Sequence, residues 1–424
     1  MPIETYLKRL ERVEPCAELW RDDKKFVEHR IGLYATLYFE HTHPMVASNE
    51  AVRRALIECW HDYWKVVGIK NWRWVYDFMG PGSSVPSYRV PTEKVPPIDE
   101  ILNVPAHFAS YQYYGSGGVH DDDASEYLFD LAAFHVYSAP ELPTQFAYLR
   151  LQAPREFIAN GRLTDFVALI KRCASRLKPN QAYGGLGFLR TYNEESTTRR
   201  TEAQMSKIFS GVDIDVPSVQ LSGLYSYYDQ KPKGITGAHW LNFLSTDWIE
   251  KLGGLEHLRD QLPADSFTVE PYDGGIFIQA GPYPEPGHKN DGLPPRYVWL
   301  NRVLKPIRVA DIRYHRGNTP GELASQEDVL PYFTRFDVAS DALGRQLEVG
   351  DSNTPSAASV AQSPASPDRV EGGGLCSKSG WWITPAKVAS RRYFKAGEVM
   401  PVIEGSQYGA TFWQWDIDQS SAKV

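Results

Sequence analysis

Residues 237–254 read GAHWLNFLSTDWIEKLGG. Leu241, Phe243 and Leu244 make a short apolar run of strand character. Ser245, Thr246 or Asp247 can cap the helix that follows, and Asp247 with Glu250 three residues on resembles a capping box. Trp248, Ile249 and Leu252 then form one apolar helical face. Gly253 and Gly254 end it, because glycine tolerates the left-handed geometry of a helix C-terminus. The next eight residues, LEHLRDQL, start a second short helix. The stretch predicts a strand, a capped helix and a turn, and it contains no catalytic motif.

Downstream, FTVEPYDGGIFIQAG (Phe267 to Gly281) reads as two short strands about a turn, and an apolar pattern runs on to about Ile312. Upstream, IGLYATLYFE (Ile31 to Glu40) alternates and is rich in β-branched and aromatic residues, as a strand requires. DLAAFHVYSA (Asp130 to Ala139), TQFAYLRLQAP (Thr144 to Pro154) and AYGGLGFLRT (Ala182 to Thr191) read as further strands, the last with glycines that signal a bulge or a close backbone approach. Helical spacing marks a segment capped by Ser48, with Val52, Ala55, Leu56, Cys59 and Trp60 on one face. It also marks Leu163 to Leu177, with Thr164 as cap. Residues 5–30 read as an amphipathic helical lead-in, Glu194 to Ile208 as helix, and Pro81 to Pro105 as irregular. These elements predict an α+β fold: a mixed or mainly antiparallel sheet with helices packed on it.

Composition changes at the C-terminal end. Gly350 to Gly374 is Ser, Ala, Pro and Gly with almost no large apolar side chains, which describes a flexible linker. Beyond it, Cys376 to Asp416 is dense in Trp, Tyr and Phe between turn residues, and reads as a small β module. The expected organisation is an α+β domain over residues 1–340, a linker over 341–374 and the module over 375–424.

The 424 residues carry a net charge of −7, which argues against a nucleic-acid binder and allows a basic protein partner. Four scattered cysteines give neither a disulfide framework nor a zinc site. The N-terminal stretch MPIETYLKRLERVEP lacks the apolar core of a signal peptide, and no apolar run reaches a membrane span, so a cytoplasmic location without membrane contact is expected. Aromatics at 13% are compatible with a packed core, a binding surface or a homodimer.

Familiar catalytic and nucleotide-binding motifs are absent, and the glycines at 184–187 lack the spacing of a phosphate cradle, so neither a catalytic residue nor a cofactor is expected. The sharpest polar cluster is GSGGVHDDDASEY (Gly115 to Tyr127). His120, Asp121 and Asp123 are a candidate metal site of a hydrolase, but consecutive carboxylates diverge rather than converge. A solvated acidic loop, or an acidic loop facing a basic partner through Asp121, Asp122, Asp123 and Glu126, explains the pattern as well. Tyr225, Tyr227, Tyr228 and Asp229 fit either sheet packing or an aromatic anchor at a protein interface. His239 is a candidate general base, but it has no carboxylate or nucleophile partner visible in sequence and reads rather as a packed or surface histidine, and Cys376 as a small packed residue.

The segment KGITGAHWLNFLSTDWIEKLGGLEHLRDQL with the later DGGIFIQAGPYPEPGHKN resembles the type VI immunity family, whose members neutralise toxic effectors of bacterial type VI secretion by binding them. The matching positions are Gly237, Trp240, Leu241, Asn242, Leu244, Leu252, Gly253, Gly254, Gly274, Gly275, Ile278, Ala280, Gly281, Pro284 and Gly287. The likeness runs over about residues 20 to 312. The C-terminal module is similar to tails of polymorphic-toxin immunity proteins at Cys376, Gly380, Trp381, Arg392, Phe394, Gly397, Glu398, Met400 and Pro401, although the long linker departs from a compact family domain. The resemblance implies a non-enzymatic protein whose partner is a cognate effector toxin, such as a basic nuclease acting in the cytoplasm. A metal-dependent hydrolase and a non-catalytic adaptor are the alternatives.

Overall fold

The computed structural model describes residues 2–21, 26–42, 49–68, 72–78, 88–89, 111–120, 123–133, 144–190, 202, 204–225, 231–309, 331–338, 369–384, 387, 390–403 and 411–416. The chain divides into two compact units, Met1–Asp351 and Ser352–Val424.

The first unit is built on one large sheet. Its strands are β1 (Glu18–Arg21), β2 (Phe26–Thr42), β3 (Trp74–Phe78), β4 (Tyr88–Arg89), β5 (Tyr111–Ser116), β6 (Leu128–Ala133), β7 (Thr144–Ala153), β8 (Gln181–Arg190), β9 (Val212–Asp213), β10 (Leu241–Ser245), β11 (Phe267–Tyr272) and β12 (Gly275–Ala280). The order is β11-β12-β10-β8-β2-β7-β6-β5-β3-β4, with β1 beside β2 and β9 beside β8. Every described pair is antiparallel except β8–β9. The helices are α1 (Ile3–Leu10), α2 (Glu50–Val67), α3 (Glu156–Ala159), α4 (Leu163–Leu177), α5 (Pro217–Leu224), α6 (Thr246–Lys251), α7 (Leu255–Gln261) and α8 (Pro295–Leu304). The expected α+β class with a mainly antiparallel sheet is the observed one.

Strand β2 shows how the sequence sets the two faces. Side chains alternate across a strand. Leu33, Ala35, Leu37 and Phe39 therefore enter the apolar core with Leu56, Cys59, Trp60 and Tyr63 of α2 and Phe166, Leu169, Ile170 and Cys173 of α4. Tyr34, Thr36 and Tyr38 point to the opposite face, where the tyrosines pack with Phe146, Tyr148 and Tyr183. The glycines of β8 serve this second face. A Cβ on Gly187 would lie 2.5 Å from the Tyr34 ring, so glycine is required for the close approach anticipated from sequence.

The opening stretch folds as β10, α6 and a glycine turn. Gly253 and Gly254 take φ of 89° and 93°, the left-handed conformation expected at the helix end. The capping box does not form: Ser245 occupies the N-cap without a side-chain bond, and its hydroxyl has no partner among the described residues. Thr164 is likewise no cap, because α4 already begins at Leu163, after Arg162. The lead-in is helical only to Leu10, continues as a 3₁₀ turn over Glu11–Cys16, and becomes strand at Glu18. Pro15 removes a helical donor there, which physically explains the break. The strand expected from Asp130 begins at Leu128 and is described only to Ala133. The apolar pattern after Pro295 is helix α8. Ser48, and Pro81 to Pro105 apart from β4, lie outside the described residues.

The second unit is a four-stranded sheet of β13 (Arg369–Glu371), β14 (Gly380–Ile383), β15 (Arg392–Phe394) and β16 (Phe412–Trp415) in the order β13-β16-β14-β15. Cys376, Trp382, Phe394, Met400 and Trp413 fill its core, so Cys376 is a packed residue. Strand β13 falls inside the stretch read as linker, and the rest of that stretch up to Asp368 lies outside the described residues.

Candidate functional site

Two polar groupings of the first unit bear on the residues expected from sequence: a buried layer on the second face of the sheet, and the loop between β5 and β6.

The buried layer starts from register. Arg150 of β7, Thr36 of β2 and Tyr183 of β8 are direct cross-strand neighbours, so their side chains form one row. One carboxylate collects all three: Asp215 accepts from Thr36 Oγ1 at 2.7 Å and from Tyr183 Oη at 3.0 Å, and pairs with Arg150 Nε at 3.0 Å. Asp213, two residues earlier on the same face, serves the next row. It accepts from Tyr34 Oη at 2.8 Å, lies 2.9 Å from His239 Nδ1 and pairs with Arg335 at 2.7 Å. Tyr38 Oη donates to Gln220 of α5 at 2.7 Å. Two buried carboxylates thus face two guanidinium groups, the balance a low-dielectric interior demands. Burial pushes the Asp213 carboxyl up, but His239, Arg335 and Tyr34 outweigh it and hold it below the ordinary aspartate range. Burial and the two aspartates drive the Tyr34 hydroxyl well above its ordinary value, so it stays a donor.

His239 Nε2 lies 2.9 Å from Thr236 Oγ1, which completes a hydroxyl–imidazole–carboxylate chain of the kind used in nucleophilic catalysis. The space beside it is about 10 Å³, room for about one water, and the rings of Tyr183 and His239 stack 4.3 Å apart. Packed against Tyr34 and Tyr183, this chain braces the second face of the sheet. Asp213, Asp215 and Arg335 were not singled out in the sequence, and His239 gains the carboxylate partner that its neighbours in sequence withhold. The usable signal was the alternation in Asp213-Ile214-Asp215 against the even-numbered Tyr34, Thr36 and Tyr38.

The segment Pro331–Val338 seals this layer. Arg335 is held by Asp213, by the carbonyls of Ser210 and Tyr332, and over the Tyr332 ring at 3.9 Å. Asp337 takes both guanidinium nitrogens of Arg308 at 2.8 Å. The Arg308 hydrogen bond, together with Asn301 and Lys305, holds the Asp337 carboxyl far below its ordinary value.

The loop after β5 holds the predicted acidic residues. Asp123 is buried: Oδ1 accepts from Val27 N at 3.0 Å and Oδ2 from His120 N at 2.8 Å. Its carboxylate pins the loop to the start of β2. Each Asp123 oxygen thus takes one backbone donor, and Asp121 of the expected His120, Asp121 and Asp123 metal site lies outside the described residues. Among the described residues, no group of three His, Cys, Asp or Glu is placed to hold a metal ion. Glu126 is half-buried beside Arg30, and burial, followed by Glu156, pushes its carboxyl up, with Glu18 adding to the rise. Glu14, Glu18, Glu126 and Glu156 share this edge with Arg30 and Arg155. Tyr225 is 3% exposed and stacks on Phe146 at 3.6 Å, which is the packing role. Asp121, Asp122, Tyr227, Tyr228 and Asp229 lie outside the described residues.

Among the described residues no helix is long and apolar enough to cross a membrane. In fold, the chain is similar to a type VI secretion system protein of Pseudomonas aeruginosa, with a TM-score of 0.68 at 24% identity, covering 80% of this chain and 92% of that one. No curated protein matches it. The family model for TsiV, described as type VI immunity for VRR-NUC, matches residues 55–327, which is most of the first unit and well over half of the whole. Strands β3 to β12 and the sequence run of Gly237 to Gly287 lie within that span, and the chain belongs to the TsiV family of type VI immunity proteins.

Proposed function

We propose that this protein neutralises a VRR-NUC nuclease effector by binding and occluding it in the cytoplasm, with no chemistry of its own. The observation that carries the reading is the TsiV match over residues 55–327. Two features support it. Among the described residues, the Thr236–His239–Asp213 chain has beside it a space of only about 10 Å³. Charge is the second. Of the chain's 45 Lys and Arg and 52 Asp and Glu, seven and six lie beyond Asp351, which leaves the first unit at −8. Such a surface attracts a basic nuclease and accelerates encounter. Glu126, with Glu18 and Glu156, is the described part of the acidic edge we assign to that encounter; Asp121 and Asp122 adjoin it in sequence.

Co-expression of this chain with the effector in a sensitive host, followed by co-purification, tests the proposal. Rescue with a stable complex is expected, and its stoichiometry, one-to-one or two-to-two, decides whether a homodimer takes part. Rescue without a complex, or a folded protein that gives neither, overturns it.

A further inference from the structure

All four cysteines are free thiols, and two of them, Cys59 and Cys173, meet where α2 packs on α4. Cys59 shares the core-facing side of α2 with Leu56 and Tyr63, at helical spacing. Cys173 shares that of α4 with Leu169, Ile170 and Leu177. Both cysteines are fully buried. Ion pairs set the level at which the helices meet. Arg176 Nε lies 2.8 Å from Glu58, and Arg172 Nε lies 3.2 Å from Asp62. Cys59 falls between Glu58 and Asp62, and Cys173 between Arg172 and Arg176, so the two bridges bracket both cysteines. The two thiols hydrogen-bond to each other. Among the described residues, no third His, Cys, Asp or Glu completes a metal-binding group with them. The Cys173 thiol, followed by burial, pushes the Cys59 thiol well above its ordinary range, so at neutral pH it keeps its proton.

We infer that Cys59 and Cys173 are a redox-modification site, where a hydroperoxide joins them into a disulfide that staples α2 to α4. One thiolate attacks a peroxide oxygen. An S–O bond forms, the O–O bond breaks, and with hydrogen peroxide the leaving hydroxide takes up a proton as water. The second thiol then attacks the sulfenic sulfur. The S–S bond forms, the S–O bond breaks, and a second water leaves. The pair gives up two hydrogens and two electrons in all are passed to the peroxide. Neither thiol faces solvent in the closed fold, so the first step waits on a local opening of α2 from α4. Reclosure returns the sulfenic acid to the thiol it faced before, which favours the disulfide over further oxidation. Cys173 lies 114 positions after Cys59, and the closed loop contains β3 to β7. A loop that long removes much freedom from the unfolded chain, so the bond stabilises the unit. Under reducing conditions the pair rests as a dithiol, and peroxide hardens the fold. This chemistry is independent of the effector bound.

Peptide mapping tests the inference. The full-length chain carrying Cys16→Ser and Cys376→Ser, which keeps only this pair, is treated with hydrogen peroxide, alkylated and digested without reductant. The expected product is a linked pair of peptides bearing Cys59 and Cys173. A rise of about 6 °C in melting temperature should accompany it, be reversed by dithiothreitol and be absent in Cys173→Ala. Should the serine variants fold poorly, the same map of the wild-type chain reads the linkage directly. Thiols that stay free in the folded protein, or that link only after urea has unfolded it, overturn the inference and leave the pair as core packing. A link that lowers the melting temperature overturns it too, because the native spacing then resists the bond. A link between two chains, seen as a dimer on a non-reducing gel, does the same.

Discussion

Asp213→Asn isolates the buried polar layer. The substitution keeps the shape and removes the charge that Arg335 faces at 2.7 Å. Tyr34 and His239 can adapt, because a hydroxyl rotates and an imidazole changes tautomer. The guanidinium cannot shed its proton, and its side chain is only 11% exposed. Removing one partner of a buried pair costs about 3–5 kcal/mol. Arg335 keeps the carbonyls of Ser210 and Tyr332, so the lower end, about 3 kcal/mol, is expected. For a unit that runs from Met1 to Asp351 that is a drop of about 4 °C in melting temperature. Calorimetry of the full chain near neutral pH reads it. Adding Arg335→Met removes the orphaned charge, so the double variant should recover part of the loss, with a coupling of about 1–3 kcal/mol. The sign with pH is fixed. A carboxyl held below its unfolded value contributes stability that is complete above about pH 4–5 and fades as pH falls through the unfolded value toward the folded one. The variant therefore lacks that component of acid sensitivity. A single variant melting within about 2 °C of wild type, or a double variant showing only the sum of its parts, would refute the account of Asp213 as the counter-charge of Arg335.

Other consequences follow from separate parts of the fold. Gly187→Ala forces a methyl to within 2.5 Å of the Tyr34 ring and should cost roughly 1–3 kcal/mol in urea unfolding; an unchanged midpoint would show that the sheet yields there. Asp337→Ala breaks the fork to Arg308 and should lower the melting temperature near neutral pH, with a smaller difference from wild type in strong acid, where the wild-type carboxyl is itself protonated; a constant difference across pH contradicts this. A chain ended at residue 327, where the family match stops, loses Phe336, 2% exposed, and both clamps, so it should be markedly less stable than one ended at residue 340. Glu126→Lys with Glu156→Lys should slow association with the basic nuclease about tenfold at low ionic strength and little in high salt; an equal effect at both would exclude steering.

Local chemistry was enough for the elements whose signals lie within a few residues. The alternation of Ile31 to Glu40, the apolar face of α4 and the paired Gly253 and Gly254 each named its own conformation, because strand and helix periodicity and glycine's access to positive φ are local properties. Local signals misled where several residues compete for one role. Ser245 and Thr164 are good caps by type, but packing of the helices set their starts elsewhere or left the hydroxyl unused. The sequence by itself also pointed to the class of the protein, through the resemblance of the run from Gly237 to Gly287 to the type VI immunity family. The tertiary structure alone decided which polar residues meet. Tyr34 and Asp213 are 179 residues apart in the chain, and His239 reaches Asp213 only because β8, β9 and the approach to β10 bring them onto one face. The same assembly buries Asp123 and Tyr225, which look like surface anchors in sequence. Burial and long-range pairing depend on register summed over the whole sheet, a quantity that no short stretch of sequence contains.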